Sequence, residues 1–548
     1  MQKDIQPQLE ALIREALALC APAVKAPDFE FSPSSELGDI SCNAAFKLAG
    51  ALRKPPKVVA AEMAAAVNKA LEGSALSASV KEVKAEGAGF INFYLTEAYF
   101  QAVLAGLIAE KEDYLRSDFG KKVPVLMEFV SANPTGSLSV AHARQAAVGD
   151  AFANVLSFLG FAVQREYYLN DEGNQINILG RSIETRFRQL NGEAVEFPAN
   201  YYQGDYITDM AREIKEKKLT VDFSEYGQQA ILNVIKKELE DFHVCFDSWY
   251  SQRELAKSGK IEKAFEFLKQ KGLLYELEGA LWFKSTDFGD DKDRVVIKSD
   301  GSQTYLAPDI AYHRDKYARG FKRLINFLGP DHHGYIARLK ASVAAFGNDP
   351  DTLSVVIVQL ASIFRDGKEV EMSTRKGQYI TLREVLDEVG IDASRFFFLM
   401  RRTNSHLVFD LEVAKKQTPE NPVYYVQYAH ARISSILRQA REQGIKAEGA
   451  PGEKLLGLLK EKEELDLIRK MWQFQFMLRI CYQTIDPYMM TVYLQELAES
   501  FHRLYDRHRV LGLEDAALSQ ARLYLILGAK TVLAAGLKLV GVTAPEKM

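Results

Sequence analysis

The sequence predicts an α/β protein with a parallel β-sheet, preceded by a smaller α/β module and followed by an all-helical region. Three observations lead to this prediction. A strand–turn–helix–strand pattern spans residues 126–171, and a crossover of that length makes its two strands parallel. Apolar strand-like runs return at residues 324–328 and 355–358. From about Leu411 onward, apolar residues recur almost wholly at helical spacing.

Length and composition are those of a globular protein with several domains. The chain has 548 residues, of which 47% are hydrophobic and 26% charged, and its formal net charge is −4. This length suits about three domains, and the small net charge means that any nucleic-acid site is a local patch. The four cysteines lie far apart and form no CxxC pair. This disfavours a zinc site and a disulfide framework, and it suits a reducing cytoplasm.

The sequence lacks the features of an exported or membrane protein. Its first residues are charged and include no apolar signal segment. No apolar run approaches the ~20 residues that a membrane-spanning helix requires. We therefore expect a cytoplasmic protein with no membrane partner.

Changes of pattern along the chain predict three domains. Residues 1–112 are expected to form an α/β binding or accessory module, because they show amphipathic helices and an alternating strand but no catalytic group. Residues 120–400 are expected to form a nucleotide-binding fold, interrupted by a charged and irregular insertion at about 192–301. Residues 411–548 are expected to form a mildly basic bundle of α-helices.

The turn between the first strand and its helix is the predicted centre of the protein. In a parallel sheet this helix begins at the carboxyl end of the strand, where open α/β sheets bind ligands and free backbone N–H groups attract phosphate. The turn contains Asn133 and Pro134, and His142 falls in the first turn of the helix. Taken alone, a histidine at such a position is more often structural than catalytic. The sequence contains neither a P-loop nor a strand-linked GxGxxG motif.

A pocket for a cationic group is predicted from two separate segments. Tyr305 and Asp309 lie at the start of a later helix, and Glu128 lies on the first strand. Carboxylates suit a guanidinium group because its planar fork pairs with them bidentately. The alternative, a buried and hydrogen-bonded structural aspartate, is equally compatible with Asp309.

Two further clusters carry positive charge. The polar loop at residues 371–377 contains Arg375 and Lys376, and such a loop suits closure over phosphates because these cations stabilise charge that develops in nucleotidyl transfer. In isolation it is only a surface turn. Near the C-terminus, Arg503 and Arg507 share a helix face with interleaved aromatic residues. This suits single-stranded RNA, although a solvated helix face is the commoner explanation.

Together these segments resemble a class I aminoacyl-tRNA synthetase, and the chain is similar to the arginyl-tRNA synthetase family from end to end. The segment that ends in His142 resembles the HIGH element, and Met372 to Gly377 resemble the KMSKS loop in a variant form. Further stretches that resemble the family are residues 166–175, 300–312, 331–335, 421–432 and 541–548.

The resemblance implies a fold and a reaction. The fold is a class I Rossmann-like catalytic domain with a parallel sheet, an N-terminal α/β domain that contacts the tRNA elbow, and a C-terminal all-α anticodon-binding bundle. In the reaction, L-arginine and ATP, accompanied by Mg²⁺, give arginyl-adenylate and pyrophosphate. The arginyl group then passes to the 3′ end of tRNA(Arg). Activation needs bound tRNA, a monomer is expected, and no metal site on the protein is implied.

The resemblance also implies roles for individual residues. Arginine binding is implied for Glu128, Ser131, Asn133, Tyr305 and Asp309, with either His332 or His333 as an addition. ATP binding is implied for Asn133, Ser139, Ala141, His142, Met372 and Ser373. The implied catalytic residues are Ser139, His142, Ser373, Arg375 and Lys376. The implied tRNA contacts are Tyr428, Arg432, Arg503, Arg507, Arg509 and Met548.

The sequence departs from the family pattern in two motifs. The HIGH element begins with His and carries Gly third, and these places hold Ser139 and Ala141. Ser139 still donates a hydrogen bond but without a charge, and loss of one transition-state donor costs on the order of 10²–10³ in rate. Ala141 adds a methyl group where the adenine lies in the family. Thr374 replaces the second KMSKS lysine, and Gly136 stands where some members have a lysine before HIGH.

Three hypotheses follow for the function. The first, which we favour, is an active arginine–tRNA ligase. The second is a catalytically impaired tRNA-binding protein of the same fold, which Ser139 and Ala141 suggest. The third is a class I synthetase for another amino acid such as cysteine, and both the acidic pocket and the lack of paired Cys/His zinc ligands argue against it.

Overall fold

The N-terminal module is an antiparallel sheet packed against helices. The computed structural model describes residues 5–34, 37–370, 379–447 and 449–548. The elements of the module are α1 (Gln6–Cys20), β1 (Phe31–Pro33), β2 (Ile40–Cys42), α2 (Ala44–Leu52), α3 (Pro56–Leu71), β3 (Val80–Glu86), β4 (Phe90–Leu95) and α4 (Glu97–Glu110). The strand order is β1-β2-β4-β3 and all pairs are antiparallel. The turn before β4 requires glycine, because Gly89 has φ +133° and a Cβ there would lie 2.8 Å from Pro56.

The middle of the chain alternates strands and helices. Its elements are β5 (Pro124–Glu128), α5 (Val140–Phe158), β6 (Ala162–Leu169), α6 (Asn174–Leu190), α7 (Asp205–Glu216), α8 (Phe223–Asp241), β7 (Ser248–Ser251), α9 (Gln252–Lys257), α10 (Lys260–Gln270), β8 (Leu274–Leu277), β9 (Ala280–Phe283), β10 (Arg294–Ile297), α11 (Leu306–Ala318), β11 (Arg323–Leu328), α12 (Ile336–Ala345), β12 (Leu353–Ile357), β13 (Ala361–Arg365), β14 (Lys368–Glu369), α13 (Leu382–Val389), α14 (Ile391–Leu399) and β15 (Leu407–Asp410).

The central sheet has five parallel strands in the order β12-β11-β5-β6-β7. The predicted strand–helix–strand unit is β5-α5-β6, so the prediction of a parallel α/β sheet is confirmed. The strands that follow β5 in sequence lie on both of its sides, with β6 and β7 on one side and β11 and β12 on the other. This reversal places a crevice between the carboxyl ends of β5 and β11. Open α/β sheets bind their ligands at such a switch point.

The segment predicted as an insertion, about 192–301, contributes to the central sheet. Its strand β7 pairs in parallel with β6, with Tyr168 opposite Tyr250. The part of this segment that forms a separate sheet is the antiparallel β8–β10 meander, with strand order β10-β9-β8. This segment of irregular composition therefore contains an edge strand of the main sheet. The domain boundaries themselves stay predictions.

The C-terminal region is helical, as predicted. Its elements are α15 (Leu411–Lys415), α16 (Pro422–Glu442), α17 (Glu453–Leu456), α18 (Lys462–Trp472), α19 (Phe474–Thr484), α20 (Tyr488–Arg507) and α21 (Ala516–Leu539). The N-terminal module packs on this bundle: the Trp472 indole N–H donates to the Tyr99 hydroxyl over 3.1 Å. Among the described residues, no helix has both the length and the apolar character needed to cross a membrane.

A buried arginine joins the catalytic region to the end of the chain. The Arg395 side chain is fully buried, and its guanidinium donates to the Asp150 carboxylate over 2.6 Å. It also donates to the carbonyls of Val540 and Phe242, each over 2.9 Å. Gly541 must be glycine, because it has φ +71° and a Cβ there would lie 2.1 Å from this guanidinium.

Candidate active site

A cavity of about 530 Å³ opens at the carboxyl ends of β5 and β11. All five residues that the sequence implicates in arginine binding line it, and so does His142. These residues are Glu128, Ser131, Asn133, Tyr305 and Asp309. Positions up to 181 residues apart in sequence thus meet at the crevice that the sheet topology creates. Ser139 and Ala141 lie at the adjoining helix start and are not among the lining residues.

The chain makes a strained turn as it leaves β5. Val130 and Ser131 both have positive φ, at 67° and 41°, a conformation that costs on the order of 1 kcal/mol for each non-glycine residue. The turn aims the Ser131 hydroxyl at Glu128 Oε1, 3.3 Å away, and the same hydroxyl oxygen accepts from the Tyr168 backbone N–H over 3.1 Å. Strain at this point positions polar groups at the cavity wall.

Asp309 lies in the first turn of α11, half-buried at the cavity. Burial and the neighbouring charge of Glu128 raise the pKa of its carboxyl to about 7, against the opposing charges of Lys316 and Arg338. Among the described residues, no group donates a hydrogen bond to this carboxylate. The carboxylate is therefore ready to receive a cation. Tyr305 precedes α11 and is 68% exposed, so it forms an open edge of the cavity.

Asn133 is held by two amide side chains from the segment after β6. Its Nδ2 donates to Gln175 Oε1 over 2.7 Å, and its Oδ1 accepts from Asn170 Nδ2 over 3.0 Å. These contacts fix the orientation of the Asn133 amide at the cavity. His332 also lines the cavity, whereas His333 is exposed.

His142 is a neutral imidazole with a defined tautomer. Its Nδ1 accepts from the Ser139 backbone N–H over 3.2 Å, and the Ser139 hydroxyl lies 3.1 Å from the same nitrogen. Burial lowers the pKa of His142 to about 4, against the opposing charge of Asp331. Because Nδ1 is the acceptor, the ring proton lies on Nε2. Ser139 thus orients the histidine, a role that the sequence did not suggest.

The start of α5 is paired with the segment that follows residues 371–378. Val140 N–H donates to the Ile380 carbonyl over 3.2 Å, and Leu382 N–H donates to the Leu138 carbonyl over 2.8 Å. The predicted loop residues Met372, Ser373, Arg375 and Lys376 lie outside the described residues. The chain nevertheless leaves that loop directly beside the HIGH-like helix start.

Gly136 is enclosed by two tyrosines. A Cβ at this position would lie 3.2 Å from the Tyr379 hydroxyl and 3.6 Å from the Tyr206 hydroxyl. These hydroxyls donate to the carbonyls of Ser137 and Thr135. A side chain at the place that holds a lysine in some family members would therefore press on the Tyr379 hydroxyl, which would have to move.

Several residues around the cavity were not assigned from the sequence. Tyr168 packs at a tilt against Tyr312, with ring centroids 4.6 Å apart and an interplanar angle of 33°. Both line the cavity together with His313 and Asn326. The two tyrosines lie in stretches that resemble the family, and this resemblance could have identified them from the sequence. His313 and Asn326 carry no sequence pattern that marks them, because only the fold brings α11 and β11 together.

The predicted tRNA contacts fall on α16, α20 and the C-terminal end. Arg432 donates to the Tyr505 hydroxyl over 2.9 Å, and its guanidinium lies 5.0 Å from the Tyr428 ring centroid and 4.9 Å from that of Tyr505. Tyr428 also stacks on His502 at 5.9 Å. These residues form an aromatic and basic surface.

The other predicted tRNA residues are less concentrated. Arg503, Arg507 and Arg509 are exposed, and Arg507 pairs with Glu463 on the neighbouring helix α18. Met548 is 53% exposed and lines a different cavity, between α14, α16 and the chain end. The structure therefore brings Tyr428 and Arg432 together and leaves Met548 apart from them.

The described residues contain no group of three or more His, Cys, Asp or Glu side chains that could hold a metal ion. Mg²⁺ prefers oxygen ligands and is commonly held by substrate phosphates with one or two carboxylates. The carboxylates at the cavity are oxygen donors of the kind that Mg²⁺ accepts.

The fold and the cavity define a class I aminoacyl-tRNA synthetase, and comparison with protein families agrees. The model for "tRNA synthetases class I (R), catalytic domain" matches residues 103–433. "Arginyl tRNA synthetase N terminal domain" matches residues 7–95, and "DALR anticodon binding domain" matches residues 426–548. The chain belongs to the arginyl-tRNA synthetase family.

Individual relatives and solved structures cover most or all of the chain. It is 45% identical to the arginine–tRNA ligase of Geobacter sp. strain M21, over 99% of this chain and 100% of the relative. The Geobacillus kaustophilus ligase is 43% identical, over 100% of this chain and 99% of the relative. A Campylobacter jejuni arginyl-tRNA synthetase structure is 33% identical, with a TM-score of 0.75, and covers 83% of this chain and 100% of that one. The Thermus thermophilus structure, 22% identical with a TM-score of 0.77, covers both chains fully and shares the fold.

These comparisons bear on the three hypotheses. The relatives over the full chain are named as arginine–tRNA ligases, so the first hypothesis is supported. The second, an impaired protein of the same fold, finds no support among them. The third, a synthetase for another amino acid, is not supported, because the chain belongs to the arginyl family.

Proposed function

We propose that the chain is an arginine–tRNA ligase that activates L-arginine with ATP and transfers it to the 3′ end of tRNA(Arg). The observation that carries this proposal is Asp309. Its carboxylate faces the cavity, receives no hydrogen bond from the described residues and lies near the helix start that bears His142. An arginine guanidinium satisfies such a carboxylate with two parallel hydrogen bonds.

The arginine substrate lies between β5 and α11. Asp309 pairs with the guanidinium, and Tyr305 covers the open edge of the cavity. Glu128, Ser131 and Asn133 bind its polar groups on the side of the strained turn. Support comes from the fixed orientation of these side chains, since the Ser131 and Asn133 contacts hold both residues before any ligand enters.

His142 donates from Nε2–H to the reacting phosphate. A neutral imidazole whose Nδ1 is already bonded offers this one proton, and its low pKa keeps it neutral through the physiological range. Ser139 supplies the hydrogen bond that holds the His142 ring. Ser139, which replaces the first histidine of the HIGH element, therefore acts by positioning the second histidine, His142. Ala141 lies one residue before His142, beside the adenine.

The loop at residues 371–378 completes the ATP site. We propose that Met372 and Ser373 contact ATP, and that Arg375 and Lys376 supply the positive charge for the transition state. Support comes from the adjoining segment: Ile380 and Leu382 hydrogen-bond to the helix start at residues 138–140. Gly136 carries no cation at the place that holds a lysine in some family members, so the loop is left to provide it. Mg²⁺ accompanies ATP and neutralises phosphate charge when bound.

The tRNA contacts two other domains. The N-terminal module binds the elbow, and the C-terminal bundle reads the anticodon through Tyr428, Arg432, Arg503, Arg507, Arg509 and Met548. Support comes from the stacked rings and the guanidinium on α16 and α20, since single-stranded bases stack on such groups. We further propose a cytoplasmic monomer, in which one chain carries all three parts.

Charging of bulk tRNA with a panel of amino acids tests this function. The purified chain is incubated with tRNA, ATP, Mg²⁺ and one labelled amino acid at a time: arginine, lysine, citrulline, methionine or cysteine. We expect label on tRNA with arginine only. Citrulline is the matched control, because it keeps the shape of arginine and lacks its charge. Charging with another amino acid and not with arginine would overturn the proposal.

A further inference from the structure

A lysine lies completely buried behind the arginine pocket. The Lys316 side chain on α11 has no solvent exposure, although ammonium groups are almost never buried unless paired. Its Nζ lies 2.5 Å from Glu128 Oε2 and 3.2 Å from Asn326 Oδ1. The ring centroid of Tyr312 is 4.1 Å from the same nitrogen. The ammonium group is thus bound by β5, β11 and its own helix.

The contacts of Lys316 continue to the other carboxylate of the pocket. Asn326 Nδ2 lies 3.0 Å from His313 Nε2, and His313 Nδ1 lies 2.8 Å from the Asp309 backbone carbonyl. Burial lowers the pKa of His313 to about 3, so the ring is neutral, accepts from Asn326 and donates to Asp309. One hydrogen-bonded network therefore runs along the wall of the cavity from Glu128 to the backbone of Asp309.

The charges around this network leave one carboxylate without a partner. Glu128 has a built-in cation in Lys316. Glu166, on β6, has its own in Arg319, at 2.5 Å. Arg338, on α12, adds a positive charge that acts on Asp309 from outside the network. Three carboxylates line the cavity: Glu128, Asp309 and Asp331. Asp331 is solvent-exposed and lies 3.6 Å from His332 Nε2, and of the other two only Asp309 lacks an ion-pair partner among the described residues.

We infer that Lys316 is a positioning residue that sets the charge of the arginine pocket, by neutralising Glu128 so that Asp309 alone remains to bind one cation. This inference rests on the proposed function. A pocket with two uncompensated carboxylates would take up a proton instead, because like charges in one buried site do not both ionise. Lys316 thus holds the pKa of Asp309 below the value that burial and Glu128 alone would give, and it keeps Glu128 fixed as a hydrogen-bond acceptor.

The test measures the KM for arginine in tRNA charging from pH 6 to pH 9, in wild type, Lys316→Met and Lys316→Arg. In the wild type, KM rises as pH falls through about 7, where Asp309 is protonated. In Lys316→Met we expect this midpoint to move upward by ~1 pH unit or more, because a nearby positive charge is lost. Lys316→Arg retains the charge and restores the midpoint. The KM for ATP stays unchanged in both.

A second pair of variants covers the case in which Lys316→Met does not fold. Glu128→Gln alone leaves a buried ammonium beside Asp309, so it weakens arginine binding strongly. Adding Lys316→Met to it restores the wild-type charge balance, and we expect the double variant to have a lower arginine KM than Glu128→Gln alone. A purely structural lysine predicts that the double variant is worse.

Two results would overturn the inference: an unchanged midpoint in Lys316→Met, or a double variant with a higher arginine KM than Glu128→Gln. Both leave the proposed function intact, because wild-type charging with arginine is measured in the same series. Absence of arginine charging in the wild type would overturn the proposed function and the inference together.

Discussion

Replacing Asp309 by asparagine should weaken arginine binding while leaving ATP binding nearly intact. The pKa of about 7, against an ordinary 3.8, means that the empty pocket disfavours the charged carboxylate by about 4 kcal/mol. A bound guanidinium relieves this penalty. Loss of one partner from such a buried pair costs about 2–4 kcal/mol, so the arginine KM should rise about 30- to 700-fold.

The same substitution should abolish a pH dependence. In the wild type, arginine binds the ionised Asp309, and the guanidinium stays charged throughout. With a pKa of about 7, the arginine KM should rise about tenfold between pH 8 and pH 6. Asparagine does not titrate, so Asp309→Asn should show a high and flat KM across this range.

The assay is steady-state charging of tRNA, with arginine varied at saturating ATP and then ATP varied at saturating arginine. Asp315→Asn is the matched control, because Asp315 lies on the same helix but pairs with Lys260 over 2.7 Å rather than facing the cavity. Its arginine KM and pH profile should equal those of the wild type. Equal increases in the KM for arginine and for ATP, or a pH slope retained in Asp309→Asn, would refute the assignment of Asp309.

Three further substitutions test other parts of the molecule. His142→Ala should lower kcat on the order of 10²–10³ with little change in arginine KM, because the lost donor acts on the transition state; a KM effect alone would contradict this. Arg432→Ala should raise the KM for tRNA about tenfold through lost stacking, with arginine KM unchanged as the internal control. Arg395→Met leaves the buried Asp150 short of a partner and should reduce the free energy of unfolding by about 3 kcal/mol; an unchanged urea midpoint would show that the bridge is not stabilising.

The strand–helix–strand unit was predictable because its signals are local. Apolar periodicity marks β5 and α5, and Gly160, at φ +86°, lies in the turn between α5 and β6, where a Cβ would lie 2.6 Å from the Ser117 carbonyl. Strand β7 was missed for the opposite reason. It has only four residues, Ser248–Ser251, all of intermediate burial at the edge of the sheet, so its sequence lacks the apolar run of an inner strand.

The sequence predicts the acidic residues of the candidate site, but it does not predict the buried lysine that balances their charge. Glu128 and Asp309 follow from the resemblance to the family, and the sheet topology explains why they meet. Nothing in the sequence distinguishes Lys316 from the exposed lysines of a charged helix, because its burial depends on β5 and β11 packing against α11. The positive φ at Val130 and Ser131 was also unforeseen, since glycine and asparagine are the usual residues there.

The most direct test of the proposed function is multiple-turnover charging by the unmodified chain. Excess tRNA, labelled arginine, ATP and Mg²⁺ are supplied, and arginyl-tRNA is counted per molecule of protein. The geometry of Ser139 and His142 predicts many arginyl-tRNA molecules per chain. Retained tRNA binding with no arginyl-tRNA formed would contradict an active ligase and point to the impaired protein that Ser139 and Ala141 first suggested.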